Sequence, residues 1–193
     1  MKKITIALIM VISLIAPIQT MAESVTQNGT IIEPLEQNIE QIIDEITSEP
    51  RPINSDAIQN VKEYISKYFG NLGYDNIEYQ KFEYNDENNE NAIRHSSQAD
   101  VFLASTAENA IVDGIGENII VTKNSSIDTT KNLIISAHYD SAEDSVGAND
   151  NGSGVAAVLE LARILKDTEI PYNIKFILFS GEEKYMLGSR WDV

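Results

Sequence analysis

Apolar residues recur at helical spacing in two segments near the start of the chain. The first stripe comprises Leu35, Ile39, Ile42, Ile43 and Ile46. Spacings of three and four residues predict an amphipathic helix, which ends before Pro50 because proline stops helices. A second stripe begins after a cap at Ser55 or Asp56 and ends near Gly70 or Gly73. Its apolar members are Ile58, Val61, Ile65, Tyr68 and Phe69.

Shorter apolar segments follow, bounded by polar turns. Residues Ile77–Tyr84 alternate between apolar and polar side chains, which predicts a half-buried strand. Three further apolar runs, Asn118–Val121, Asn132–Ala137 and Tyr172–Ser180, also predict strands. A helical stripe over Gly152–Lys166 separates the last two runs. This order predicts an α/β fold with a mixed, mostly parallel sheet and helices on both faces.

The first residues have the layout of a secretory signal peptide. Lys2 and Lys3 precede an apolar run, 4–18, and small residues at Thr20 and Ala22 mark a cleavage site after Ala22. A short membrane anchor is the alternative, but the run is shorter than the roughly 20 apolar residues that a spanning helix needs. The sequence therefore predicts a secreted protein.

Charge and cysteine content narrow the possible partners. The formal net charge is −16, and losing the two lysines of the signal peptide takes it from −16 to −18. Such a chain repels nucleic acid phosphates and anionic membrane surfaces, so we expect neither as a partner of the mature protein.

The chain has no cysteine, and its stability must come from its core or from bound metal. The acidic stretch Asn85–Gln98 predicts an exposed loop or insertion, with His95 on its surface.

Three short motifs follow elements of the predicted sheet. They are AHYDS (Ala137–Ser141), GANDNGSG (Gly147–Gly154) and SGEE (Ser180–Glu183). Loops beyond the carboxyl ends of strands carry the chemistry of such sheets, so one rim should collect an imidazole and four carboxylates. These groups belong to His138, Asp140, Asp150, Glu182 and Glu183. Clustered carboxylates repel one another, which favours a bound divalent cation; the donors suit zinc, and also manganese or cobalt.

Each of these residues also has a purely structural interpretation. His138 could be a strand-end histidine satisfied by backbone, and Asp140 a turn acid. Asp150 or Asn151 could cap the following helix. The two glutamates could be surface acids in a first helical turn. Taken together, however, these interpretations leave the accumulation of like charge on one rim unexplained.

In this order and with this spacing, the motifs resemble those of the M28 metallopeptidases, which are co-catalytic zinc aminopeptidases and their relatives. The resemblance covers roughly Arg51–Val193, is strongest from Asn132 onward, and includes MLGSR at Met186–Arg190. It implies a zinc aminopeptidase (phosphorylase/hydrolase-like) fold. The expected organisation is a signal peptide over 1–22, an N-terminal segment or propeptide with a helix over 23–50, and the N-terminal part of an M28 peptidase domain over 51–193.

The resemblance also implies a role for each residue of the rim. His138 would ligate one zinc ion, and Asp140 would orient its ring. Asp150 would bridge two zinc ions, and Glu183 would ligate the second. Glu182 would be the general base that takes a proton from metal-bound water. The implied activity is that of a secreted aminopeptidase that removes N-terminal residues from peptide substrates.

The family pattern also needs an Asp beyond the GEE motif and a later His. Asp192 lies too close to Glu183 to match that Asp. We therefore hypothesise that the sequence is a fragment, or a truncated product, of a complete enzyme gene. Its metal sites would then be incomplete, which puts the activity of this chain alone in doubt. Two alternatives stay open: a zinc acyltransferase resembling glutaminyl cyclase, which uses a single metal, and a non-catalytic metal-binding fragment. The sequence indicates no oligomeric state.

Overall fold

The computed structural model describes residues 25–27, 30–32, 34–84 and 114–191. The predicted signal peptide over 1–22, the acidic stretch Asn85–Gln98 with His95, and Asp192 lie outside the described residues. Within these ranges, no helix combines the length and the apolar character needed to cross a lipid bilayer.

Three helices correspond to the three helical stripes of the sequence. They are α1 (Glu36–Ile46), α2 (Asp56–Asn71) and α3 (Ser153–Leu165). Ser55 caps α2, because its Oγ accepts the backbone N–H of Ile58 at 3.1 Å. This bond satisfies one of the amides that a helix start leaves without a partner. A single-turn helix, α4 (Leu187–Arg190), follows the last strand.

The described strands form a short hairpin and a four-stranded sheet. The hairpin pairs β1 (Val25–Gln27) with β2 (Thr30–Ile32). The larger sheet has the spatial order β3-β4-β6-β5. Its strands are β3 (Ile77–Tyr84), β4 (Gly114–Lys123), β5 (Asn132–His138) and β6 (Asn173–Phe179). All four predicted strands are therefore present, and β4 is longer than its apolar run indicated.

Strand direction differs from the prediction. β4 runs antiparallel to both of its neighbours, β3 and β6, and only β5 pairs parallel with β6. The sheet is mixed, as predicted, but "mostly parallel" is wrong for its described strands. A parallel pair needs a long crossover, usually helical, and α3 lies in the crossover between β5 and β6.

The two faces of the sheet are covered unequally. Helices α2 and α3 contact one face, and α1 packs on α3. This side holds the main core, to which the strands contribute Ile119, Val121, Ala137, Ile174, Phe176 and Leu178. Side chains alternate across a strand, so Asn118 and Phe82 project from the opposite face. There a smaller cluster joins Phe82 to Ile53 and Leu187, the first residue of α4. Helices thus lie on both faces, and the three long ones share one side.

We expect Ile42→Ala to lower the free energy of unfolding by about 3 kcal/mol, because it leaves a cavity in the core. Ile42 lies on α1, is 1% exposed and belongs to the same cluster as Phe176. Urea-induced unfolding followed by circular dichroism measures the change. The matched control is Ile127→Ala, at a position that is 57% exposed. If the two variants lose similar stability, α1 is not part of the cooperative core.

Candidate metal centre

The parallel pair β5–β6 places two of the sequence motifs side by side. His138 ends β5 and is the register partner of Phe179, which ends β6. The N–H of Tyr139 then donates to the carbonyl of Phe179 at 2.9 Å, which continues the ladder beyond the strand ends. Because both strands run in the same direction, AHYDS and SGEE leave the sheet at the same edge.

The imidazole of His138 is the centre of the cluster at this edge. The residue is 7% exposed. Its Nε2 lies 3.1 Å from Asp150 Oδ1 and 3.8 Å from Glu182 Oε2. One potential ligand atom each from His138, Glu182 and Glu183 lie within 4.8 Å of one another. Donor atoms from all three sequence motifs therefore converge.

Asp140 contacts both His138 and the turn that carries the two glutamates. Its carboxylate is buried, and its two oxygens accept the backbone amides of Glu182 and Glu183, each at 3.1 Å. Oδ1 is also 3.5 Å from His138 Nδ1, a buried ring nitrogen that has no hydrogen-bond partner among the described residues. The two amide bonds fix the turn that carries both glutamates, beside the imidazole.

Asp150 reaches the cluster from an irregular turn, Ala148–Gly152, that leads into α3. The backbone leaves helical geometry at Asp150 and Asn151, which are joined by a cis peptide bond. Asn151 Oδ1 accepts the N–H of Gly154 at 3.1 Å, so Asn151 caps α3. The sequence left open whether Asp150 or Asn151 caps this helix, and the capping interpretation of Asp150 is wrong. Its carboxylate instead faces His138 and is largely exposed.

The segment after β6 turns sharply and presents both glutamates at the rim. Gly181 has φ +70°, in the left-handed region that favours glycine. Tyr185 and Met186 also lie in this region, with φ of 64° and 59°, which is uncommon for residues with a side chain. The N–H of Met186 donates to the carbonyl of Glu182 at 2.7 Å and closes the turn. The glutamates thus occupy a tight turn, not the first turn of a regular helix.

Electrostatics indicate an excess of negative charge in the cluster. Partial burial, followed by the charge of Asp150, raises the pKa of Glu183. Burial opposes the charged form of His138, but the neighbouring carboxylates, Asp140 foremost, raise its pKa overall. A divalent cation would relieve this excess. His138, Asp150 and Glu183 fit such an ion, because imidazole and carboxylate are donors that zinc accepts.

Two buried polar residues that the motifs do not predict also support this edge. The guanidinium of Arg51 is fully buried and bonds to the backbone carbonyls of Tyr139, just before Asp140, and of Gly147, just before the turn that carries Asp150. Asn118, on β4, accepts the N–H of Ser180 at 3.1 Å and so fixes the start of the glutamate turn. Neither residue belongs to a motif. The only local signal is that Arg51 lies between two prolines.

Known proteins share the sequence pattern that builds this edge. Residues 118–193 match the model of Peptidase family M28. Over 81 residues, which are 42% of this chain, the sequence is 43% identical to the aminopeptidase YwaD of Bacillus subtilis (strain 168). That alignment covers 18% of YwaD, so the chain matches less than a fifth of this relative's length.

Solved structures share the fold. The zinc aminopeptidase BSAP from Bacillus subtilis matches with a TM-score of 0.61 at 18% identity, over 79% of this chain and 63% of that one. The glutaminyl cyclase of Porphyromonas gingivalis matches with a TM-score of 0.56 at 18% identity, over 76% and 45%. At these identities the likeness shows the α/β fold alone. Residues 118–193 therefore carry the sequence signature of peptidase family M28, on an α/β fold that solved zinc aminopeptidases share.

Proposed function

We propose that the protein carrying this chain is a secreted zinc aminopeptidase that hydrolyses the N-terminal residues of peptides. The observation that carries the proposal is the convergence of ligand atoms from His138, Glu182 and Glu183, with Asp150 against the same imidazole nitrogen. The family match and the identity with an aminopeptidase support it. Secretion rests on the signal-peptide layout of residues 1–22.

Three side chains would hold the metal. His138 would bind one of the two zinc ions that we propose, Glu183 would bind the other, and Asp150 would contribute to both. Zinc, when bound, polarises the scissile carbonyl and lowers the pKa of water towards about 7. Asp140 touches neither substrate nor metal in this proposal, and acts by orienting the imidazole and the glutamate turn.

Glu182 has the properties of a general base. Its backbone amide is fixed by Asp140, whereas its side chain is 38% exposed. Its carboxylate can therefore reach solvent and substrate while its position at the rim stays defined. In the proposed reaction it accepts a proton from the attacking water and delivers it to the leaving amine.

The charge of the whole chain also bears on the substrate. The formal net charge is −16, and two zinc ions would offset only four of these charges. Such a chain repels anionic substrates such as nucleic acids.

We expect Glu182→Gln to lower kcat at least about 100-fold, because the amide cannot accept the proton. Its zinc content should stay nearly unchanged, because the proposed ligands are intact. Hydrolysis of an aminoacyl p-nitroanilide by the full-length protein, produced from its own gene, gives kcat, and elemental analysis gives zinc. Glu143→Gln, at an exposed acid of the neighbouring loop, is the matched control. Turnover that survives in Glu182→Gln would refute the general-base role.

We expect Asp140→Asn to weaken zinc binding about 10–100-fold, since an amide holds the imidazole and the two glutamate N–H groups less well than a carboxylate. Competition with a fluorescent zinc chelator gives the dissociation constant without any substrate. Asp144→Asn, at an exposed position of the same loop, is the control and should bind zinc normally. Equal affinity in the two variants would show that Asp140 does not position the ligands.

A peptide with N-terminal glutamine separates the proposal from the second candidate, a glutaminyl-cyclase-like acyltransferase, which the structural likeness to a glutaminyl cyclase favours. We expect release of free glutamine, because the proposed rim holds two ions and a base for water. Mass spectrometry distinguishes this from loss of ammonia with the peptide otherwise intact. Cyclisation without hydrolysis would favour the acyltransferase, and zinc binding without either reaction would favour a non-catalytic role.

A further inference from the structure

Arg51 is a fully buried cation. Among the described residues, the partners of its guanidinium are all backbone carbonyls. Its Nε donates to the carbonyl of Tyr139 at 2.7 Å. Its Nη2 donates to the carbonyl of Gly147 at 3.1 Å, and its Nη1 to that of Val146. One planar group therefore joins the segment after β5 to the loop that precedes Asp150.

The backbone of Arg51 strengthens the same connection. Its N–H donates to Ser141 Oγ at 3.0 Å, and its carbonyl accepts the N–H of Ser141 at 3.3 Å. Tyr139 and Ser141 flank Asp140 on either side. Arg51 thus fixes the chain immediately before and immediately after the carboxylate that orients His138.

Close packing at Gly147 carries the connection on to Asp150. Gly147 has φ +58°, and a Cβ there would lie 3.3 Å from Arg51 Nη2 and 2.7 Å from the Cβ of Ser141. Its carbonyl accepts the N–H of Gly152 at 2.9 Å as well as the bond from Arg51. The turn that presents Asp150 is therefore anchored on the guanidinium.

The geometry of Arg51, and not its charge alone, suits this place. Burial lowers the pKa of Arg51, and the charges of Asp140 and Glu183 only oppose this effect. Removing an ion from water is costly, and the bonds of Arg51 to carbonyls that would otherwise be buried without a partner offset that cost. The planar fork of arginine supplies several donors in a fixed geometry. Its distinctive contribution is the relative position of the two loops.

We propose that Arg51 is a positioning residue that sets the distance between His138 and Asp150, and through it the zinc affinity of the site. The inference rests on the proposed function for the identity of the metal. Arg51 touches neither metal nor substrate in this account and acts through the two loops that carry the ligands.

Two substitutions separate position from charge. Arg51→Lys keeps the positive charge but loses the fork, and Arg51→Met loses the charge and keeps much of the volume. If Arg51 acted only by its charge, its removal would strengthen zinc binding, because a cation repels a cation. If it positions the loops, both substitutions weaken zinc binding. We expect the dissociation constant to rise about 10–100-fold in both.

The experiment measures the dissociation constant of zinc from the full-length protein, by competition with a fluorescent chelator and with zinc as the only ligand. The melting temperature of each zinc-free variant is measured alongside. Ile42→Ala controls for lost stability, because Ile42 is a buried core residue that is neither a proposed ligand nor a residue bonded to Arg51. Arg163→Met controls for the loss of an arginine, since Arg163 bonds to Glu160 on α3. Both controls should bind zinc like the unchanged protein. Unchanged affinity in the Arg51 variants, or tighter binding by Arg51→Met, would overturn the inference.

A milder variant tests the inference if the Arg51 variants do not fold. Ser141→Ala removes the oxygen that accepts the N–H of Arg51, and it too should weaken zinc binding. Unchanged affinity for zinc in this variant would refute the inference.

The outcomes also separate the role of Arg51 from the proposed peptidase function. Zinc binding without peptide hydrolysis removes the peptidase proposal alone, and hydrolysis with undiminished affinity in the variants removes only the role of Arg51. A protein that does not bind zinc refutes both.

Discussion

The parallel pairing of β5 with β6 is the constraint on which the rest of the site depends. Parallel neighbours need a crossover, and α3 supplies it, so a single β–α–β unit delivers all three polar motifs to one edge. β5 brings His138, β6 brings the two glutamates, and the start of the crossover helix brings Asp150. An antiparallel pair would have sent the ends of its two strands to opposite edges of the sheet.

Irregular backbone at this edge creates a second requirement. Loops and tight turns leave N–H and C=O groups without the partners that a helix or sheet would supply, and such groups are costly when buried. Three buried polar side chains meet this need: Asp140 accepts amides, Arg51 donates to carbonyls, and Asn118 accepts an amide. The groups that satisfy the backbone are thus the neighbours of the residues that we propose as ligands.

Much of this could be predicted from the sequence, because the relevant signals are local. Helical stripes, strand alternation and the positions of the motifs locate α1, α2, α3 and β3 to within a residue or two. Strand direction could not be read in this way. The βαβ order identifies one parallel pair, but the antiparallel pairs of β4 depend on contacts between distant segments. Arg51 was missed for the same reason, since its partners are carbonyls, which any residue offers.

The contacts of Arg51 also bear on the order in which the protein is built. Its guanidinium bonds span 88 to 96 residues of chain, and closing so long a loop costs entropy that later contacts must offset. Synthesis produces Arg51 early, but its acceptors emerge only with the loops after β5. The contacts of Arg51 around the rim can therefore form only after the two ends of this long segment have met. A nascent chain that ends before residue 147 would contain His138 and Asp140 but would lack both Asp150 and the carbonyl of Gly147 that Arg51 contacts.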